Sequence, residues 1–364
     1  MAKLDFTVKQ IAREALPRLI DNLVFPNLVY KETVPGNAAK KGDVVSVRCP
    51  VRLEANDFDA SAGISAQNLD NDTIDVKLDH IATVDLQLGA IEAACDFESV
   101  TRQFIEPAAA ALAEKINAEG LALYRDIPYI AGEAGTVPDG LDDIAQASYM
   151  LDMNKVPFGG RCAVWNPLAT SKLKQVPAIV NAEKCGSTNA LRTGAIGRVF
   201  GIDNYMSQAV ADHVPAYTGT LTLAADVTDA EEVTFTASAS SGKLQHGDLL
   251  KIGGKTYTVK ADAAVTGSSV KVEVYPKMTA DKGAAAELVP AHAANLVFHP
   301  NAFAFISRPL QAPAGVESYV TSYNGISLRV VRGYDIRYKR EILSMDVLYT
   351  FQTLYPELAV RYLG

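Results

Sequence analysis

Histidine and cysteine are the first residues to search for chemistry, because imidazole and thiolate are the usual metal ligands, bases and nucleophiles. His80, His213, His246, His292 and His299 form no His-x-x-x-His or His-Glu pair, so no helix face offers two nitrogens to one metal ion. They read as surface or loop histidines. Cys49, Cys95, Cys162 and Cys185 lie far apart, with no Cys-x-x-Cys among them. That argues against a zinc knuckle or a disulfide scaffold and reads as buried, reduced thiols of a protein made in the cytosol. Gly253-Gly254-Lys255-Thr256 looks like the end of a phosphate-binding loop, but the motif needs a glycine where Leu249 stands. A two-residue hairpin turn accounts for it better. Gly63-Ile64-Ser65-Ala66-Gln67 lacks the second glycine of a nucleophile elbow. Asp142-Asp143 suits the start of a helix rather than an acid–base pair. The sequon Asn71-Asp72-Thr73 matters only in a secreted protein. No catalytic, cofactor-binding or metal-ligating residue is assigned, and no cofactor is expected.

The elements that would position any such residue are clearer. The 364 residues are 48% hydrophobic and 21% charged, with a formal net charge of −8. That is globular composition with room for more than one domain. No run approaches the roughly 18 apolar residues of a membrane span. The first residues carry no apolar signal core, so no secretory signal is expected. The acidic balance gives no basis for specific nucleic-acid binding.

Residues 7–24 read as an amphipathic helix with Thr7 and Gln10 at capping-box spacing and Pro17 placed to kink or split it. Val45, Val47, Cys49, Val51 and Leu53 alternate with polar residues, and so do Ile74, Val76, Leu78, Ala82, Val84, Leu86 and Leu88. The second run would extend about 50 Å as one strand. With the polar tip at 55–73 the two runs read as a long two-stranded arm. An isolated hairpin is marginal in water, so its apolar face must be covered by the same chain or a neighbour. Residues 97–126 read as a long helix with Pro107 in a first turn or at a break. Residues 127–215 mix short helices, strands and turns. Residues 216–293 then contain no arginine, although the chain has 15, and their short alternating runs predict a small inserted β-barrel or sandwich.

Charge is unevenly placed. Glu54, Asp57, Asp59, Asp70, Asp72, Asp75 and Asp79 face only Lys77, while Arg329, Arg332, Arg337, Lys339 and Arg340 are opposed by Asp335 and Glu341. Both stretches could simply be solvated. Contact between them across copies would use Asp57, Asp59, Asp70 and Asp72 against Arg329, Arg332, Arg337 and Arg340.

Residues 11–32 (IAREALPRLIDNLVFPNLVYKE), 40–52 (KKGDVVSVRCPVR) and 105–124 (IEPAAAALAEKINAEGLALY), with the arginine-free insertion, resemble the major capsid (coat) proteins of tailed bacteriophages, in detail the group of the Salmonella phage P-twenty-two coat protein. The resemblance implies an α+β fold of the Hong Kong ninety-seven type. Its parts would be an N-terminal arm (1–42), an E-loop hairpin (43–92), a P-domain spine helix (93–135) and a P/A-domain (136–215). An inserted β-barrel I-domain (216–293) would precede the returning A- and P-domain strands (294–364). It also implies a non-catalytic subunit that self-assembles, as pentamers and hexamers, into an icosahedral shell around double-stranded DNA. Its partners would be further copies of itself, a scaffolding protein, a portal protein, packaged DNA bound non-specifically and a cement or decoration protein, with no membrane. Assembly would occur in the host bacterial cytoplasm. From the residues alone, an α/β enzyme of unknown class, a small-ligand binding protein and a phage tail or adhesion module remain open.

Overall fold

In the computed structural model of the chain, which describes residues 7–31, 39–48, 73–88, 101–181, 189–335 and 340–364, the long alternating run breaks at Leu78-Asp79. It forms two strands with different partners rather than one continuous strand, and only the first of them makes the expected two-stranded pairing. Thr73–Lys77 pairs antiparallel with Val44–Arg48, with Val45 opposite Val76 and Val47 opposite Ile74. His80–Leu88 pairs instead with Arg340–Thr353, from Tyr349 opposite His80 to Glu341 opposite Leu88. Alternation survives the break because each strand still buries one face: Val47, Val76, Leu78 and Ala82 are buried, while Ser46, Asp75, Lys77, Asp79 and Thr83 beside them are exposed. The cover for these four side chains therefore comes from the same chain. The polar tip, and Cys49, Cys95 and Cys185, lie outside the described residues.

The chain divides into two units. The first comprises Met1–Arg18, Lys31–Leu112 and Phe305–Leu354. Its sheet runs His80–Leu88, Arg340–Thr353, Ile326–Asp335, Glu317–Tyr323 in spatial order. On Arg340–Thr353, Tyr349 stacks with His80 and lies edge-on to Phe351, and Phe305 packs beside Phe351.

The second unit comprises Leu19–Tyr30, Ala113–Ala304 and Tyr355–Gly364. Its mixed sheet is ordered Ile130–Gly132, Ala359–Leu363, His292–Phe298, Cys162–Trp165, Ile202–Met206, Gly197–Val199. Every residue of the three strands His292–Phe298, Ala359–Leu363 and Cys162–Trp165 is buried. Such strands read as continuous apolar runs, not as alternation. The same unit holds a closed barrel of six strands between Leu221 and Leu288. Its interior is built by alternation: Val233, Phe235 and Ala237 from one strand, Val270, Val272 and Val274 from the next, closed by Leu221, Ile252, Tyr257 and Val259. Gly253 and Gly254 both have positive φ, 57° and 79°, and join Leu249–Ile252 to Lys255–Val259 as the expected tight turn.

Helix α1 (Val8–Asn22) runs unbroken through Pro17, whose ring is on the exposed side, so the expected split does not occur. Thr7 N–H donates to the Gln10 side chain, 3.1 Å, at its start. Helix α2 (Glu106–Leu121) carries Pro107 in its first turn, where the missing N–H costs nothing. It is preceded by a π-turn, Thr101–Ile105, and followed by a 3-10 turn, Ala122–Asp126. Asn117 in α2 is buried and accepts from the N–H groups of Val24 and Phe25, 3.0 and 3.2 Å. Helix α3 (Leu141–Met153) starts as Asp142-Asp143 predicted: Asp143 accepts from Gly140 N–H at 2.9 Å.

Candidate functional site

Arg329 and Arg332 occupy one strand three residues apart, so they project from opposite faces of the sheet. Each finds an acid in that sheet. Arg329 donates through Nε and Nη2 to Asp346 Oδ2, 3.0 and 2.5 Å, and through Nη1 to the Gln311 carbonyl. Arg332 donates to Glu341 at 2.9 Å. The two arginines therefore do not form one basic face. Asp57, Asp59, Asp70, Asp72 and Arg337 lie outside the described residues, and Arg340 is placed by its backbone opposite Asp335. Among the described residues, no group of three or more His, Cys, Asp or Glu side chains could hold a metal ion. Cys162 is buried, and burial pushes its thiol up to about 11, away from reactivity.

The densest polar cluster was not anticipated: His213 and His292, expected at the surface, are both 4% exposed. They sit where the chain enters and leaves the barrel, and these two crossings pair as a short antiparallel ladder with His213 opposite His292. Their burial follows from that placement, because the neck is packed from three further directions. Asp248, on the barrel and fully buried, accepts from His213 Nε2 at 2.8 Å and from Gln245 N–H at 2.8 Å. His213 Nδ1 is then the acceptor for the Tyr124 hydroxyl, 3.2 Å away in the 3-10 turn. Arg361, on the C-terminal strand and 0% exposed, lies 4.4 Å from the Tyr124 ring centroid and donates to the Gly247 carbonyl at 2.7 Å.

The 3-10 turn is also gripped by the barrel directly. Thr258 Oγ1 donates to the Arg125 carbonyl at 2.6 Å, and His246 Nε2 lies 2.9 Å from Asp126. Gly247 has φ of +93°, and a Cβ there would come within 2.6 Å of the Arg125 side chain, so only glycine fits. Buried in this neck, three nitrogens have no hydrogen-bond partner among the described residues: Nε2 of His292, and Nε and Nη2 of Arg361. Burial pulls the Arg361 guanidinium down to about 9, against the favourable charges of Tyr124 and Asp248. Burial and then the Arg361 charge pull His292 down to about 4, opposed by its Nδ1–H bond to the Pro290 carbonyl at 2.6 Å. A cleft of about 320 Å³ reaches Tyr124 and His213 from solvent. Sequence reasoning missed this cluster, although one signal was present: histidines stand close to both ends of the arginine-free stretch.

The family described as P22 coat protein, gene protein 5, matches residues 1–272 of this chain. The chain belongs to the P22 coat protein family. As a P22-type coat protein it is a major capsid protein, the structural subunit of a phage shell. Two solved structures share its fold over nearly the whole length. One, from Mycobacterium phage Che8, is 18% identical and covers 93% of this chain and 90% of its own, with a TM-score of 0.50. The other, the capsid structure of the Cyanophage P-SCSP1u, is 13% identical over 94% and 88%, also at 0.50. No curated protein sequence matches the chain. The α+β arrangement of this coat protein is thus that of phage capsid subunits, with a closed six-stranded barrel between Leu221 and Leu288.

Proposed function

We propose that this coat protein assembles as pentamers and hexamers into an icosahedral head that encloses double-stranded DNA, without catalytic activity of its own. The observation that carries this reading is the coat-protein match over residues 1–272. The division into arm (1–42), E-loop (43–92), spine helix (93–135), P/A-domain (136–215), inserted barrel (216–293) and returning strands (294–364) goes with it. Assembly takes place in the bacterial cytoplasm with a scaffolding protein and a portal, and a decoration protein can bind the finished shell. A chain of net charge −8 around a polyanion makes few and scattered phosphate contacts, whose affinity falls steeply with salt. The acidic residues Asp57, Asp59, Asp70 and Asp72 of one copy meet the basic stretch of Arg329, Arg332, Arg337 and Arg340 of the next.

Expression of the chain in a bacterium and sedimentation of the lysate tests this. The reading expects the protein in particles far larger than a 38.9 kDa monomer. Recovery as monomer alone, both with and without a co-expressed scaffolding protein, contradicts it.

A further inference from the structure

We propose that the neck of the barrel is an acid-operated release: protonation of the buried His292 detaches the barrel from the sheet and the 3-10 turn while both remain folded. The geometry carries the argument. His292 donates Nδ1–H to the Pro290 carbonyl, so in the neutral ring Nε2 is the bare nitrogen, and it has no hydrogen-bond partner among the described residues. A proton there creates a buried cation with no acceptor in a neck that already holds the buried Arg361, whose Nε and Nη2 lack acceptors among the described residues. A buried, unpaired charge is relieved most directly by letting water in. The hydrogen-bonded part of the neck is polar and its apolar contact is small, Leu249 and Val289 against Leu363, whereas the barrel has a large apolar core of its own to keep it folded.

The charged and titratable groups of the neck that holds His292 come from every element packed there. The entry strand brings His213, with rings 5.6 Å apart, and Asp212. The 3-10 turn brings Tyr124, Arg125 and Asp126, the barrel loop brings His246 and Asp248, and the last strand brings Arg361. Asp248 is the one fully buried carboxylate among them. It already accepts from His213 and Gln245 and balances Arg361, so it is not free to compensate a new charge.

The sign follows from linkage. His292 is lowered in the closed neck, so the open neck binds more protons in the interval between the ordinary histidine value of 6.5 and about 4. The closed neck is therefore fully favoured above that interval and progressively lost as pH falls through it.

Hydrogen exchange of the full-length chain, corrected for the intrinsic pH dependence of exchange, tests this at about pH 7.5 and about pH 5. The Ala294 amide, which donates to the Ala211 carbonyl across the entry and exit crossings of the neck, should lose about tenfold or more of its protection at the lower pH. Val270 and Val272 in the barrel and Leu296 and Val297 in the sheet should keep theirs. His292→Asn, which cannot take up the proton, should remove the acid response. Unchanged neck protection at the lower pH, equal loss across barrel and sheet, or the same response in His292→Asn would each overturn the proposal. Should that variant not fold, the wild-type profile decides by the first two outcomes.

Discussion

Arg332 is held by Glu341 and Arg329 by Asp346, and this changes what a charge reversal measures. The Arg332–Glu341 pair is partly exposed, with side chains 21% and 40% accessible. Such pairs contribute only about 0–1 kcal/mol. Reversal of Arg332 and Arg337 to Glu should therefore weaken assembly while lowering the melting temperature of the unassembled subunit by no more than a few degrees. Reversal of Asp57 and Asp72 to Lys in the same chain should restore part of the assembly, read as the fraction of protein in particles. No rescue would leave the acidic and basic stretches as two solvated surfaces. Arg329 is the poorer site for this test, because Asp346 is only 7% accessible and would be left buried without its cation. At this scale the sequence revealed the charge bias but not who neutralises it. Asp346 and Glu341 reach their arginines across the strand register, 17 and 9 residues away, a distance no local spacing encodes. The neck was less legible still. Arg361 is an ordinary residue in the sequence and becomes informative only when Gly247 and Tyr124 are folded onto it.

The two most visible elements in the sequence fared differently. The barrel was announced by composition and by short alternating runs, and it forms because Val, Leu and Phe on one side of each strand close a core drawn, among the described residues, from Tyr217 to Leu288. The fragment 216–293, expressed alone, should give dispersed amide resonances with β-type shifts. A random-coil or helical spectrum would show that the barrel needs the neck to fold. The alternating run from Ile74 to Leu88 was also real, but its unity was not. Period-two alternation reports a half-buried strand and is silent about its partner. The chain changes partner at Leu78-Asp79 without interrupting the alternation, from Val44–Arg48 to Arg340–Thr353. Pro17 misled in the other direction: local preference argued for a broken helix, and α1 continues because Ile11, Ala12, Ala15, Leu16 and Leu19 bury one continuous stripe. The three fully buried strands of the second unit carried no alternation to detect.

For the whole molecule, the account rests on a division of labour. The strand His80–Leu88 is tied into a sheet of its own subunit. The proposed contacts of Asp57, Asp59, Asp70 and Asp72 would lie between copies, where symmetry repeats each weak pair around a closed shell. The coat-protein match says that the finished object is a phage shell, and the chain's own structure supplies a subunit with buried cores of its own. Negative-stain electron microscopy of the purified chain, beside a variant lacking Asn56–Asn71, tests this most directly. The account predicts closed shells of uniform size from the full chain, and a folded variant that forms none. A full-length protein that stays monomeric under assembly conditions, or a deletion variant that builds normal shells, would contradict it.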